Sequence, residues 1–208
     1  MKNLLKNHKY ILIFSLFFLA ACAGTQTKSA DYAARGEMYL KTGKLAKAEK
    51  YLNKAIEANP YNIDAYKNRG SLYYNLGDFE KALEDFDYAL QYEPNNSSIL
   101  SAKAAVLASM GQYEESFNNL LTALKLNPSN IAALNSMAGI YFIIGDFEKA
   151  VQIYTISLEY QTTPEAYLMR GKCYLELGKK EEAENDLAMA KILKHGTGNT
   201  APSDAANK

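Results

Sequence analysis

The stretch from Ile63 to Asn96 reads IDAYKNRGSLYYNLGDFEKALEDFDYALQYEPNN. Two segments with helical spacing flank the turn Leu76-Gly77-Asp78. Small residues stand where two helices must approach closely: Gly70 in the first segment, Ala82 and Ala89 in the second. Tyr66, Tyr73, Phe79 and Phe86 supply the bulk between them. Pro94 closes the second segment, because proline has no N–H for the helix ladder and clashes with the preceding turn.

The same pattern recurs along the chain. The turn glycine returns as Gly43, Gly77, Gly111, Gly145 and Gly178, at spacings of 34, 34, 34 and 33. The small residue of the first helix returns as Gly36, Gly70, Ala104, Ala138 and Gly171. Those of the second helix return as Ala48, Ala82, Ser116, Ala150 and Ala183, then Ala55, Ala89, Ala123, Ser157 and Ala190. Pro60, Pro94 and Pro128 close the first three units. Repeat 4 carries Thr162 at that position, and Pro164 opens repeat 5.

This recurrence resembles the tetratricopeptide repeat, a helix–turn–helix unit of 34 residues. The resemblance implies an all-α, right-handed α-solenoid of five tandem repeats, at about 29–62, 63–96, 97–130, 131–163 and 164–195. The repeat domain spans 31–195. Helices are predicted over 31–42, 45–58, 64–76, 79–92, 98–110, 113–126, 131–144, 147–160, 164–177 and 180–194. Asp78 and Asp146 precede second helices, where an acid suits the positive helix end. Asn62, Asn96 and Asn130 are placed to cap the first helices that follow them.

The chain begins differently. Lys2, Lys6 and Lys9 form a basic start, and Tyr10 to Ala21 is an apolar run of 12 residues. That length suits the core of a secretory signal and is too short to span a bilayer comfortably. The ending Leu19-Ala20-Ala21-Cys22 looks like a bacterial lipobox. The resemblance implies removal of a signal peptide over 1–21 and acylation, palmitate included, of Cys22. The alternative is ordinary signal cleavage with Cys22 unmodified. Ala23, where such lipoproteins retained at the inner membrane carry Asp, implies the outer membrane facing the periplasm. Residues 22–30 then read as the lipidated cysteine and a short polar tether, whose last eight residues reach about 26 Å when extended. Residues 196–208 (GTGNTAPSDAANK) lack apolar periodicity and read as a disordered tail.

Charge and composition narrow the function. Lys+Arg and Asp+Glu are both 23, and removing the three leader lysines leaves an acidic excess of three. That balance weakens a nucleic-acid reading, which usually needs a basic patch. Two cysteines without repeated Cys/His spacing give neither a disulfide framework nor a metal site, and no cofactor is implied. One histidine, His195, follows the leader, and no nucleophile–base pattern is visible, so no catalytic residue is assigned. Gly196-Thr197-Gly198 lacks the flanking strand and helix that a phosphate loop needs. Cys173, in CYLEL, reads as a core thiol.

Three arginines share one repeat position: Arg35, Arg69 and Arg170. Sixteen residues on stand Tyr51, Asp85 and Asp186, whereas Lys103 is matched with Asn119 and Met137 with Ile153. Ion pairs across each helix pair are expected for Arg69 and Arg170; the alternative is a ligand-binding arginine cluster.

In the tetratricopeptide family the first helices line a groove for extended or helical partner segments. The resemblance places there Leu40 in repeat 1, and Lys67, Ser71, Tyr74 and Asn75 in repeat 2. Repeats 3 and 4 add Ser101, Ala105 and Ala108, then Asn135, Gly139, Phe142 and Ile143, and repeat 5 adds Leu168 and Lys172. Tyr74, Phe142 and Ile143 are the expected anchors beside small residues. The two-carboxylate clamp of chaperone-tail binders needs Lys, Arg and Asn at positions that are mostly Ala or Ser here. The whole reads as a monomeric, membrane-anchored scaffold or adaptor for protein partners in the bacterial envelope. In plan it resembles repeat lipoproteins that pilot type IV pilus secretins, and others that dock peptidoglycan enzymes. The alternative of another class is an envelope enzyme or an enzyme-associated subunit.

Overall fold

The computed structural model describes residues 25–196. The signal segment, Cys22 and the tail beyond Gly196 lie outside the described residues. Within them the chain forms ten α-helices and no strand. They are α1 (25–41), α2 (Leu45–Ala58), α3 (Ile63–Leu76), α4 (Phe79–Tyr92), α5 (Ser97–Ser109), α6 (Tyr113–Leu126), α7 (Ile131–Ile143), α8 (Phe147–Tyr160), α9 (Pro164–Glu176) and α10 (Lys180–Gly196). Odd-numbered helices are the first and even-numbered the second members of the five pairs.

Turn chemistry sets the pairs. Gly77 has φ 78°, the left-handed region where a Cβ is strained, and its N–H reaches back to the carbonyls of Tyr73 and Tyr74. All five turn glycines have φ between 69° and 82°. The predicted caps form at the other ends. Asn62, Asn96 and Asn130 accept from backbone N–H groups in the first turns of α3, α5 and α7. Asp78 and Asp146 do so for α4 and α8. Lys81 and Lys149 hold these two carboxyls below the usual carboxylate range, chiefly by side-chain hydrogen bonds.

The chain divides into two compact units, up to Pro94 and from Asn95. In the first unit, Ala48, Leu52 and Leu72 form one buried cluster and Ala33, Ala55 and Ala65 another. Gly70 explains the small residue of the first helix: a Cβ there would stand 2.9 Å from the ring of buried Phe86. In the second unit, Ala138, Ala150, Tyr154, Ala166 and Cys173 pack together. Serines at two small-residue positions are fully buried yet satisfied. Ser116 Oγ donates to the Ala104 carbonyl at 2.7 Å, and Ser157 Oγ to Asn135 Oδ1 at 2.7 Å.

The tether expected over 22–30 is corrected in its described part, because residues 25–30 are helical and continue into α1. Ser29 is the physical reason. It is fully buried, donates to the Ala55 carbonyl at 2.7 Å, and accepts from Asn62 Nδ2 at 2.8 Å. The same junction recurs in the second unit: Ser97 Oγ donates to the Ala123 carbonyl at 2.8 Å, and Asn130 Nδ2 reaches Ser97 Oγ at 2.7 Å. Asn62 and Asn130 therefore also tie their helices to the preceding first helix.

Candidate functional site

In the first unit, α1 and α3 enclose a cleft of about 240 Å³ lined by Ala30, Ala33, Ala34, Glu37, Asn62, Asp64, Lys67 and Asn68. Of the residues assigned to this side, Lys67 lines the cleft and pairs with Asp64 at 2.5 Å. Ser71 is half-buried and donates to the Lys67 carbonyl at 3.0 Å. Tyr74 and Asn75 are exposed, with the Tyr74 ring tilted against Phe79 at 6.0 Å. Leu40 is half-buried against the Ala48–Leu52–Leu72 cluster, which makes it part of the core margin.

In the second unit, α5, α7 and α9 are neighbours. Ser101 leaves the candidate surface: it is buried, donates to the Ser98 carbonyl at 3.0 Å, and accepts from Asn130 Nδ2 at 3.4 Å. Asn135 is occupied by Ser157. Ala105, Ala108 and Gly139 are half-buried, and a Cβ on Gly139 would meet only the Tyr154 hydroxyl at 3.8 Å. Phe142 packs on the Ala138–Tyr154–Cys173 cluster and meets Phe147 edge-on at 5.4 Å. Its ring serves the core margin rather than an open surface. Ile143 is 60% exposed, and Leu168 and Lys172 are exposed as well. Ile144, at 54%, and Leu175, at 50%, extend the apolar surface. Ile144 was not assigned from sequence. The signal for it was α7 itself, IAALNSMAGIYFI, whose apolar residues surround the helix and cannot all be buried.

The arginines behave as ion-pair partners. Arg69 donates through Nε and Nη2 to Asp85 at 2.9 and 2.8 Å, and through Nη1 to Asn53 of α2 at 2.8 Å. Tyr66 and Tyr73 flank it at 5.5 and 5.8 Å. Its pKa is raised above the usual value, first by the bond to Asp85. Arg170 repeats the arrangement with Asp186 at 2.7 and 2.9 Å, Thr155 of α8 at 3.0 Å, and Tyr167 and Tyr174 as flanking rings. Both forks are consumed, which argues against a ligand-binding cluster. Lys103, at the same repeat position, has its Nζ 3.7 Å from Glu115.

Burial pushes the Cys173 thiol up to about 11, which keeps it protonated and unreactive at neutral pH. Among the described residues no group of His, Cys, Asp and Glu has metal-holding geometry, and no helix is long and apolar enough to cross a membrane.

Tetratricopeptide-repeat family profiles match residues 29–62, 63–96, 97–130 and 144–192. No curated protein matches the sequence. Solved structures similar to this chain include PilF of Pseudomonas aeruginosa, with a TM-score of 0.71 and 20% identity over 81% of this chain and 77% of that one. MamA gives 0.61 and 18%, over 78% of this chain and 96% of its own. The Cut9–Hcn1 hetero-tetramer of APC/C gives 0.76 and 17%, over 81% of this chain and 34% of that one. At these identities the likeness speaks for the fold alone. Five helix pairs in 34-residue register and the four matched segments together establish that the chain belongs to the tetratricopeptide-repeat family.

Proposed function

We propose that the protein is a membrane-tethered scaffold of the bacterial envelope that holds a segment of a protein partner against its first helices. The observation that carries the reading is the exposed apolar surface of the second unit. Ile143 ends α7 and Ile144 follows it, Leu168 and Leu175 lie on adjacent α9, and the half-buried Ala105, Ala108 and Gly139 belong to α5 and α7. Large apolar groups beside small ones suit an apolar or amphipathic segment, and such anchors usually dominate binding energy. The anchor is Cys22, acylated after signal cleavage, at the periplasmic face of the outer membrane. Several acyl chains hold firmly where one holds only marginally. The scaffold acts as a monomer: the last helix exposes Lys180, Glu184 and Lys191 where a further repeat would need apolar contacts. The process served is assembly of an envelope complex, either piloting a pilus secretin or docking a peptidoglycan enzyme. Occurrence of a similar fold in a hetero-tetramer supports the scaffold role.

Two variants test this. Cys22→Ser abolishes labelling by a fatty-acid analogue and leaves precursor or soluble protein; continued labelling removes the anchor. Ile143→Asp lowers capture of the partner from crosslinked envelope more than tenfold, with thermal melting unchanged. Unchanged capture removes Ile143 from the site.

A further inference from the structure

The arginine position shows which side of each first helix faces backward along the array. Arg69 reaches Asn53 of the preceding second helix, and Arg170 reaches Thr155 of its own. The equivalent side of α1 carries Tyr32, Arg35 and Tyr39; Tyr51 of its own second helix packs on Tyr32 and Tyr39 at 6.1 and 5.4 Å, and the described residues include no earlier second helix. Here the acid is missing too, because Tyr51 occupies the position of Asp85 and Asp186. Arg35 turns instead to Asp31 of its own helix at 3.0 Å, and its side chain is 52% exposed.

What covers this face is basic and aromatic. Arg35 lies over the Tyr51 ring at 5.9 Å, Lys47 over Tyr39 at 5.6 Å, and Lys54 over Tyr32 and Tyr51 at 5.6 and 5.7 Å. Of the acids nearby, Asp31 is taken by Arg35, Glu37 by Lys41, and Glu49 accepts from Tyr73 on the α3 side. The chain as a whole is polarised. Residues 25–62 hold seven basic and four acidic residues, and residues 63–208 hold thirteen and nineteen. An anionic surface therefore attracts this end and repels the remainder.

We infer that the open face of repeat 1, formed by Tyr32, Arg35, Tyr39, Lys47, Tyr51 and Lys54, docks on an anionic lipid surface. The inference rests on the anchor at Cys22 proposed above. Two residues separate that cysteine from Thr25, where α1 is already formed, and the three steps span at most about 11 Å. That reach is close to the screening length of about 8 Å at physiological salt, so the basic face feels the headgroup charge. Tyrosine suits the interface because its ring is apolar and its hydroxyl is wet.

The test uses the full mature chain carrying Cys22→Ser, which has no lipid, and vesicles of phosphatidylcholine with or without phosphatidylglycerol. The chain co-sediments with the phosphatidylglycerol vesicles, and binding falls as salt rises. Arg35→Gln, Lys47→Gln and Lys54→Gln together weaken it about a hundredfold, since each charge near such a surface is worth roughly fivefold. Lys179→Gln, Lys180→Gln and Lys191→Gln together change it less than about threefold. If the first triple variant melts lower, Asp31→Asn, which releases Arg35, replaces it and tightens binding. Equal binding to both vesicle types, or equal binding by the triple variant and its parent, overturns the inference. Binding of polyglutamate without vesicle binding also overturns it and assigns the face to an acidic protein. Labelling of Cys22 is read separately, so failure of the anchor and failure of this face are distinct results.

Discussion

At the scale of single residues, the arginine pairs show how far sequence alone reaches. Acids sixteen residues after Arg69 and Arg170 place a carboxylate across the helix pair, and the forks form as that spacing requires. The third contact of each guanidinium, to Asn53 or Thr155, was not legible, because neither residue type marks the position. Asp85 and Asp186 are buried, and the side chain of Arg69 retains 21% exposure. Removing one partner from such a pair strands a charge and costs about 3 kcal/mol, against about 0–1 kcal/mol for an exposed pair such as Lys67–Asp64. Asp85→Ala therefore unfolds at clearly lower urea than Asp64→Ala. In a cycle with Arg69→Met the two losses are strongly non-additive. Additive losses contradict the pair. Phe142 marks the opposite case. Its repeat position implied a groove anchor, but its ring meets Phe147 of its own second helix, as Tyr74 meets Phe79 in repeat 2, and it is half-buried where Tyr74 is exposed.

At the scale of elements, helix bounds were legible to within one residue almost throughout, since turn glycines, capping residues and closing prolines state them chemically. The exceptions are α10, which runs two residues further than expected, and α1. Ser29 in AGTQTKSA looks like tether, and only its two buried hydrogen bonds, to Ala55 and from Asn62, show why helix persists there. Ser101 was misplaced for a related reason, because its partner Asn130 lies 29 residues away. The caps carry a pH dependence. The native carboxyls of Asp78 and Asp146 titrate below their unfolded value, so their contribution is present above that unfolded value. It is lost as pH falls through the depressed native one. In an NMR titration the amide shifts of Lys81 and Lys149 move with midpoints below about 3.9, the ordinary aspartate value. Midpoints at or above that value contradict the capped geometry.

At the scale of the whole molecule, the repeat count and fold were legible because five copies in register multiply a weak local signal. The candidate surface was legible only in outline. Family register names the positions that face the groove, but burial decides which of them stay free, and burial depends on neighbours one repeat away. That sorting moves the apolar surface from Phe142 to Ile143, Ile144, Leu168 and Leu175. The most direct measurement places a photocrosslinking amino acid in the living cell at Ile143 or Leu168 on the first helices, or at Leu121 on a second helix, where exposure is 58%. The account predicts one discrete protein adduct from Ile143 and from Leu168, and none from Leu121. The same adduct from Leu121, with none from the first helices, contradicts it.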